Sequence, residues 1–319
     1  MLLSILIPNY GFNDSVVRCL NSLETKIDNN QFDYEILICD QSCPSDKDLL
    51  LNAINTHKKI KLINLEEPNV LEARKLLLRN ATGDYIFFVD SDDYIDDGFI
   101  NRIAKSIFDN KYPDLIFTSY YKDTAEKSEI NNDLSFVNES NYLKYFYCTD
   151  SLNTLWRKVF KKDLFKKEEI ANLNSINGDD WIISSTVIKN AKTIIFDSSL
   201  CGYHYCINES GLTHTMTFER FTKSFSLKDK FVLSSPLFDG DLIFNSKMVK
   251  FLGFCSISYR SKKDKKEIKQ AFDYARENLI VNLGIRKKMI KGSKNRALYS
   301  LLKMRWFHLF LFALKIKNK

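Results

Sequence analysis

Residues 85–94 read Tyr-Ile-Phe-Phe-Val-Asp-Ser-Asp-Asp-Tyr, an apolar run of strand length that ends in three acids within four positions. An apolar run without alternation is typical of a strand that helices cover on both faces of a sheet. Ligands of open α/β sheets gather outside the carboxyl ends of the strands, so Asp90 and Asp92 are candidates to hold a hard cation beside a phosphate. The alternative is an acidic turn that closes the strand and caps the next helix.

The segments on either side of this stretch alternate between strand-like and helix-like patterns. Apolar runs predict strands at residues 2–7, 34–39, 60–65, 114–120 and 193–196. Helical spacing of apolar side chains predicts helices at residues 16–27, 49–56, 71–80, 99–107 and 182–189. Residues 200–214 are predicted to form a loop. Such alternation indicates an α/β fold with a mostly parallel sheet and helices on both of its faces.

The composition indicates a folded protein with reduced thiols. The chain has 319 residues, of which 45% are hydrophobic and five are prolines, so it can form one large domain with an appendage or two domains. Its seven cysteines are odd in number and form no CxxC pair, which favours a cytoplasmic location. The amino terminus lacks the basic region of a signal peptide, and no run reaches the ~18 apolar residues that span a bilayer.

Charge is distributed unevenly along the chain. Residues 260–319 contain 18 Lys and Arg against 4 Asp and Glu, whereas the rest of the chain contains 29 against 36. An acidic body with a basic tail predicts that the tail meets an anionic partner. A nucleic acid is the less favoured partner, because the acidic body would repel it.

Six motifs follow one another along the first two thirds of the sequence. They are residues 4–10 (Ser-Ile-Leu-Ile-Pro-Asn-Tyr), 35–42 (Glu-Ile-Leu-Ile-Cys-Asp-Gln-Ser), 69–74, 81–85 (Ala-Thr-Gly-Asp-Tyr), 90–93 and 178–181 (Gly-Asp-Asp-Trp). In this order and spacing the chain resembles the inverting family 2 glycosyltransferases of the GT-A fold, particularly bacterial capsule and exopolysaccharide transferases. The resemblance covers roughly residues 1–215. It implies a Rossmann-like nucleotide-sugar-binding catalytic domain at 1–215. The charge and helical spacing of the remaining residues predict a helical, basic C-terminal region at 216–319.

The resemblance implies a UDP-sugar as donor. Asp40 matches the aspartate that accepts a hydrogen bond from the uracil N–H, although the sequence around it reads Asp-Gln-Ser rather than the common Asp-Asp-Gly-Ser. Arg74 matches the arginine near the diphosphate, where a guanidinium offers a forked set of donors to phosphate oxygens. Pro8 and Tyr10 match the first nucleotide-contacting loop. The alternatives are an Asx turn for Asp40 and a solvated surface position for Arg74.

The acidic motif is implied to hold a divalent ion, Mn²⁺ or Mg²⁺. In the family pattern Asp92 touches the ion most directly, with Asp90 as a second ligand, while Asp90 or Ser91 lies near the ribose. The ion would offset the charge that develops on the departing diphosphate. We expect Asp93 to cap the following helix rather than to bind metal.

Asp179 and Asp180 are candidates to activate the acceptor. Displacement at the anomeric carbon needs a general base on the acceptor hydroxyl, and the family pattern places it on the second acid, Asp180. The alternative is a helix N-terminus that two acids cap. Trp181 is expected to exclude water or stack on a sugar, and Trp156 and Lys158 to line the acceptor side, with a core tryptophan as the alternative.

Two histidines bracket a loop that closes over the donor in the family. His204 and His214 are candidates for a phosphate or metal contact, because relatives often carry an arginine where this chain reads Tyr-His-Tyr-Cys at 203–206. The alternative for each is an ordinary surface histidine.

The end of the chain resembles an interfacial helix in composition. Residues 301–315 read Leu-Leu-Lys-Met-Arg-Trp-Phe-His-Leu-Phe-Leu-Phe-Ala-Leu-Lys, which mixes aromatic with basic side chains. This pattern predicts association with an anionic membrane, where a lipid-linked acceptor would be presented. The alternatives are packing on the protein itself or a homodimer contact.

Together these observations predict a metal-dependent inverting glycosyltransferase. It would move a sugar from a UDP-sugar to a hydroxyl of a lipid-linked bacterial surface glycan at the inner face of the cell membrane. Two alternatives remain: a non-catalytic membrane adaptor on the same fold, and a phosphohydrolase that uses an aspartyl nucleophile. The second expects a threonine soon after the second acid, where this chain has Asp93 and Tyr94.

Overall fold

One mixed β-sheet organises the first part of the chain. The computed structural model describes residues 1–24, 32–55, 57, 59–148, 151–166, 179–207, 218–219, 221–222, 240–260, 265–281 and 293–317. The strands within these residues are β1 (Leu2–Asn9), β2 (Asp33–Asp40), β3 (Ile60–Asn64), β4 (Tyr85–Phe88), β5 (Tyr94–Ile95), β6 (Leu115–Asp123), β7 (Ser128–Asn131), β8 (Lys158–Lys161) and β9 (Ile194–Cys206).

Helices alternate with these strands and then continue alone. They are α1 (Asp14–Ser22), α2 (Pro44–Ile54), α3 (Val70–Asn80), α4 (Phe99–Asp109), α5 (Tyr142–Cys148), α6 (Asp179–Asn190), α7 (Gly240–Arg260), α8 (Lys265–Ala275), α9 (Ser293–Lys303) and α10 (Phe307–Lys317). Short 3₁₀ turns lie at Asp133–Phe136, Leu155–Arg157 and Lys162–Leu164, and a π-helical turn at Arg276–Val281 follows α8.

The sheet has the order β3-β2-β1-β4-β8-β6-β9-β5, and β7 pairs with β6. Its first four strands are parallel, whereas β8 is antiparallel to both β4 and β6. The expected α/β fold is confirmed, but the sheet is mixed rather than mostly parallel. Strand β8 lies between two strands that precede it in sequence, and periodicity alone does not reveal such an insertion.

The parallel strands β1, β2 and β4 end at one edge of the sheet. Asn9 pairs with Asp40 at the ends of β1 and β2, and the Val89 N–H donates to the Leu6 carbonyl at 3.0 Å just beyond β4. The apolar residues on one face of these strands are buried with residues of α1 and α4 in a single core cluster. Consequently, the polar residues that follow each strand emerge side by side.

The turn before β4 is fixed by the half-buried Glu35. Glu35 Oε1 accepts hydrogen bonds from Ser4 Oγ at 2.6 Å and from the Thr82 backbone N–H at 2.6 Å. Burial opposes ionisation of Glu35, but these bonds outweigh it and lower its pKa. A Cβ on Gly83 would lie 2.7 Å from Ser4 N, so glycine allows the chain to pass this close to β1. This network explains the Ala-Thr-Gly-Asp motif.

The predicted short strand at 193–196 is wrong in its extent. Strand β9 runs from Ile194 to Cys206, which includes residues 200–206 of the predicted loop. It is parallel to β6 with register shifts near Ser119, and it also pairs with β5. Because β9 contains many polar residues, its sequence has no continuous apolar run. Pairing with β6 and with β5 stabilises it as a strand instead.

The chain divides into two compact units. The first comprises Met1–Tyr142 and Ser151–Ile207, and the second comprises Leu143–Asp150 and Asn208–Lys319. The predicted boundary at 215/216 lies outside the described residues and stays a prediction. The second unit has its own apolar cluster, in which Phe251, Phe272 and Phe310 are fully or almost fully buried.

Candidate functional site

Asp40 is a buried carboxylate at the end of β2. Its side chain accepts hydrogen bonds at Oδ1 from Asn9 Nδ2 at 2.9 Å and from Ser42 Oγ at 2.5 Å. Asn9 Nδ2 also donates to the Gly11 carbonyl at 3.0 Å, and the Gly11 N–H donates to Ser42 Oγ at 2.8 Å. These contacts fix the loops after β1 and β2 against each other. Within the described residues, all hydrogen bonds to the Asp40 side chain reach Oδ1, one of its two carboxylate oxygens.

Gln41, where the motif departs from its common form, joins this edge to helix α3. Its side-chain N–H donates to the Asn9 carbonyl at 3.3 Å, and its Oε1 accepts from the Asn69 N–H at 2.6 Å. Asn69 in turn caps α3 by accepting from Leu71 N and Glu72 N. Sequence reasoning treated Gln41 only as an irregularity, whereas the side chain positions the helix that carries Arg74.

Arg74 bridges two acids from distant parts of the chain. It is 6% exposed, and its guanidinium lies on Asp180 through Nη1 and 3.3 Å from Asp90 Oδ1 through Nη2. Both carboxylates are partly exposed. A buried guanidinium requires such partners, because an unpaired charge there would be strongly destabilising. The bridge therefore brings the start of α6 beside the end of β4.

The turn at 90–93 is fixed from beneath by Tyr203 of β9. The Asp90 N–H donates to Tyr203 Oη at 3.1 Å, and the Tyr203 hydroxyl donates to Asp93 Oδ2 at 2.5 Å. Asp93 Oδ1 also accepts from the Cys206 N–H at 2.8 Å. Burial, and next the charge of Asp90, raises the pKa of Asp93.

The expectation that Asp93 caps the following helix is wrong. Helix α4 begins only at Phe99, and Gly98 occupies its N-cap position with φ +69°. Asp93 is 1% exposed and serves as the buried acceptor for β9. The side chain thus holds the acidic turn in place rather than starting a helix.

Asp92 is exposed above this turn. Its backbone carbonyl accepts from Arg18 Nη2 at 2.9 Å, while its side chain lies at the surface beside the half-buried Asp90 and Ser91. No group of three or more His, Cys, Asp or Glu is arranged to hold a metal in the described ranges. One or two carboxylates suit Mg²⁺ or Mn²⁺ that draws its remaining ligands from phosphate and water, but they do not form a zinc or calcium cage.

Pro8 and Tyr10 lie on the same edge but differ in exposure. Pro8 is buried within β1, and Tyr10 is 70% exposed just after the strand. An exposed aromatic ring beside Asp40 is available to stack on a planar ligand.

Trp156 and Lys158 lie in the core. The Trp156 ring stacks on Tyr203 with a centroid separation of 4.7 Å and on Tyr205 at 5.4 Å. Lys158 is fully buried, and its ammonium donates to the Leu152 and Thr154 carbonyls. Burial, and next the charge of Arg157, lowers the pKa of Lys158 well below its ordinary value. An acceptor-side role for both residues stays a prediction that their burial does not favour.

The remaining predicted residues have mixed positions. Trp181 is 3% exposed, next to Asp180 in the first turn of α6. The side chain of Asp179 and the whole of His214 lie outside the described residues.

His204 is enclosed by protein groups. Nδ1 lies 3.0 Å from Asp123 Oδ2, and Nε2 lies 2.9 Å from Asp96 Oδ1. Its ring stacks between Tyr94 and Tyr121, with centroid separations of 4.3 and 4.6 Å. A phosphate or metal contact would have to displace a carboxylate, so this prediction has no geometric support.

We predict that Tyr203→Phe weakens Mn²⁺-dependent UDP binding about tenfold. The variant keeps the ring on Trp156 but loses both hydroxyl hydrogen bonds to the acidic turn, each worth about 1 kcal/mol or more when a buried partner is left unsatisfied. Isothermal titration calorimetry with UDP, with and without Mn²⁺, checks it. Tyr205→Phe is the matched control, since Tyr205 also stacks on Trp156. Equal affinities for the wild type and Tyr203→Phe would show that the turn does not need this support.

A separate cavity of about 870 Å³ lies at the opposite edge of the sheet. Its lining includes Met1, Arg79, Asp84, Tyr112 and Phe165. Lys161 and Lys162 also border it, and their ammonium groups contact Asp114 and the Ala81 carbonyl. None of the predicted site residues lines this cavity.

Comparisons with known proteins agree with this architecture. The model of the family described as Glycosyl transferase family 2 matches residues 4–168. An uncharacterized glycosyltransferase, EpsJ of Bacillus subtilis (strain 168), is 23% identical over 222 residues, which are 66% of this chain and 63% of EpsJ. The chain thus spans less than two thirds of the length of that relative.

Solved structures share the fold. Staphylococcus aureus TarS 1–349 in complex with UDP-GlcNAc has a TM-score of 0.72 and 17% identity, covering 99% of this chain and 91% of that one. A mannosyltransferase of Pyrobaculum calidifontis in complex with GDP-Man and Mn²⁺ has a TM-score of 0.52 and 13% identity, covering 99% of this chain and 86% of that one. The predicted GT-A type of α/β fold, with a helical C-terminal part, is confirmed.

Proposed function

Because this chain belongs to glycosyl transferase family 2, we propose that it transfers a sugar from a UDP-sugar to an acceptor hydroxyl with inversion at the anomeric carbon. The observation that carries the proposal is the bridge from Arg74 to Asp90 and Asp180. It joins the end of β4, helix α3 and the start of α6 at one edge of the sheet. Ligands of open α/β sheets bind at this edge.

The donor nucleotide occupies the edge formed by β1 and β2. Asp40 accepts from the uracil N–H through the oxygen that Asn9 and Ser42 leave available, and the exposed ring of Tyr10 stacks on the base. Pro8 shapes the loop from within β1. The diphosphate lies beside Arg74, whose forked donors suit phosphate oxygens. The phosphate oxygens compete with Asp90 and Asp180 for the guanidinium.

Asp92, with Asp90, would hold a Mn²⁺ or Mg²⁺ ion. When bound, the ion acts as a Lewis acid that offsets the charge on the leaving diphosphate. Asp92 contributes an exposed carboxylate, and the buried side chain of Asp93 keeps the turn in shape through Tyr203. Ser91 and Asp90 lie at the correct end of β4 to approach the ribose.

Asp180 removes the proton from the acceptor hydroxyl. The acceptor oxygen then attacks the anomeric carbon from the side opposite the diphosphate, and the new glycosidic bond forms as the bond to the departing diphosphate breaks. This single displacement inverts the configuration. Asp180 is partly exposed and lies across Arg74 from Asp90. Asp179 adjoins it in sequence, and the buried ring of Trp181 excludes water behind it.

The acceptor is a hydroxyl of a lipid-linked bacterial surface glycan, and the enzyme acts at the inner face of the cell membrane. The family membership and the basic C-terminal region support this choice. Both alternative functions lose support from the Arg74 bridge, since a decayed adaptor has no need for it and a phosphohydrolase has no use for Asp180.

The proposal is tested by incubating the protein with a panel of UDP-sugars and Mn²⁺ and measuring thermal shift and UDP release. We expect at least one UDP-sugar to raise the melting temperature and to release UDP, and a GDP-sugar panel to serve as the control for base recognition by Asp40. A shift with GDP-sugars alone would overturn the UDP assignment. No shift with any nucleotide sugar would overturn the transferase itself.

A further inference from the structure

Helix α10 is apolar on two opposite faces. Phe310 and Leu314 are fully buried in the core of the second unit. At 3.6 residues per turn, a second set of side chains lies within about 60° of one another and about 150° from that buried face. This outer set, with one residue just before the helix, comprises Leu309 (49% exposed), Phe312 (62%), Ile316 (50%) and Trp306 (52%).

An exposed apolar row of this kind indicates an interaction surface. Helices that are apolar all round are ordinarily buried on all sides, and soluble proteins seldom expose contiguous apolar patches unless they bind something there. Met304, which is 46% exposed, lies next to the row. We call residues 306, 309, 312 and 316 the outer face of α10.

The charges around the outer face identify its partner. Residues 293–317 contain Lys and Arg but no Asp or Glu. The exposed basic residues are Lys294, Arg296, Lys303, Arg305 and Lys315. A second copy of this chain would place the same basic patch against itself, because a two-fold interface is self-complementary. An anionic surface instead complements it.

We propose that the outer face of α10 inserts into the headgroup region of an anionic membrane, with Arg305 and Lys315 against the lipid phosphates. An amphipathic helix that lies in the interface buries aromatic and aliphatic side chains and keeps basic residues at the headgroups. Helix α10 has 11 residues and is about 16 Å long, too short for the ~30 Å hydrocarbon core. Among the described helices, none is long and apolar enough to cross a bilayer.

This inference extends the membrane location of the proposed function, but its test does not depend on sugar transfer. The full chain contains three tryptophans, of which Trp156 and Trp181 are buried and Trp306 is exposed. Because Trp156 and Trp181 are already shielded from solvent, a shift of tryptophan emission on adding vesicles is assigned to Trp306. A result here leaves the UDP-binding tests unaffected, so the two proposals fail separately.

The experiment adds vesicles of phosphatidylcholine with or without 30% phosphatidylglycerol to the full chain. We expect a blue shift of tryptophan emission and co-sedimentation with the anionic vesicles, and at least tenfold weaker binding to the neutral ones. The Trp306→Phe variant should show no emission shift but should still sediment with the anionic vesicles, because phenylalanine retains the apolar contact. Without a shift or sedimentation on anionic vesicles, the proposal is overturned.

Paired variants separate the contributions of the face and the charges. Leu309→Ser with Phe312→Ser should lower vesicle binding at least tenfold, and Arg305→Gln with Lys315→Gln at least fivefold. Phe136→Ser is the matched control, since Phe136 is 68% exposed on the first unit. If ultracentrifugation instead finds a dimer that the Leu309 and Phe312 changes dissociate, without vesicle binding, the face belongs to a second copy and the proposal is wrong.

Discussion

Asp180→Asn is expected to lower the rate of sugar transfer about 1,000-fold while changing UDP affinity less than threefold. Loss of a general base typically slows a reaction 10²–10⁴-fold. Asparagine retains an oxygen that accepts from the Arg74 guanidinium, so the bridge to Asp90 stays in place. Initial rates with the donor that the panel identifies, together with calorimetry of UDP, separate the two quantities.

A second change at the same position sharpens this result. Asp180→Glu keeps the charge but moves the carboxylate by one methylene, so we expect partial activity between that of the wild type and that of Asp180→Asn. If Asp180→Asn transfers sugar within tenfold of the wild-type rate, another residue is the base. If its UDP affinity falls more than tenfold, Asp180 belongs to the donor site.

Asp92→Asn is expected to weaken UDP binding about 100-fold in the presence of Mn²⁺ and to leave metal-free binding unchanged. The amide cannot replace a carboxylate as an anionic ligand of a hard cation, so the link between ion and diphosphate is lost. Calorimetric titration of UDP at several Mn²⁺ concentrations measures this dependence. It also tests metal dependence itself, because a flat response of the wild type to Mn²⁺ would exclude the ion.

Asp97→Asn provides the control for the change at Asp92. Asp97 is an exposed acid five positions further along, on the approach to α4. Removing its charge changes the net charge of the protein by the same one unit without removing a proposed ligand. Equal loss of Mn²⁺-dependent affinity in both variants would mean that Asp92 acts through its charge alone.

Sequence reasoning located the edge of the site because parallel strands end together. The apolar runs before Asp40 and Asp90 predicted two buried strands, and the structure places both ends beside β1. Local sequence therefore sufficed for these parallel strands and for this edge of the site.

The contacts that shape the acidic turn could not be predicted in this way. Tyr203 lies 110 positions after Asp93, and β9 reaches the turn only because it pairs with β5 and β6. Lys158 was predicted to line the acceptor side, yet two backbone carbonyls accept from its buried ammonium. Long-range pairing decided each case, and one sequence contains no local signal for it.

For Asp90 and Asp180 too, local sequence did not predict the contact that brings them together. Each acid was a candidate from its motif, but their shared partner Arg74 lies on α3, 16 positions before Asp90 and 106 before Asp180. The departure at Gln41 also had no visible role until its amide linked Asn9 to the start of α3. The roles of these residues stay predictions, and their positions make those roles testable.

The position of UDP in a crystal structure of the Mn²⁺ complex tests most directly whether acids from separate segments serve one donor. We predict the uracil within hydrogen-bonding distance of Asp40, the diphosphate beside Arg74 and an Asp92-bound ion, and Asp180 facing the same pocket. A nucleotide bound instead in the cavity lined by Met1, Tyr112 and Phe165, at the opposite edge of the sheet, would contradict the account.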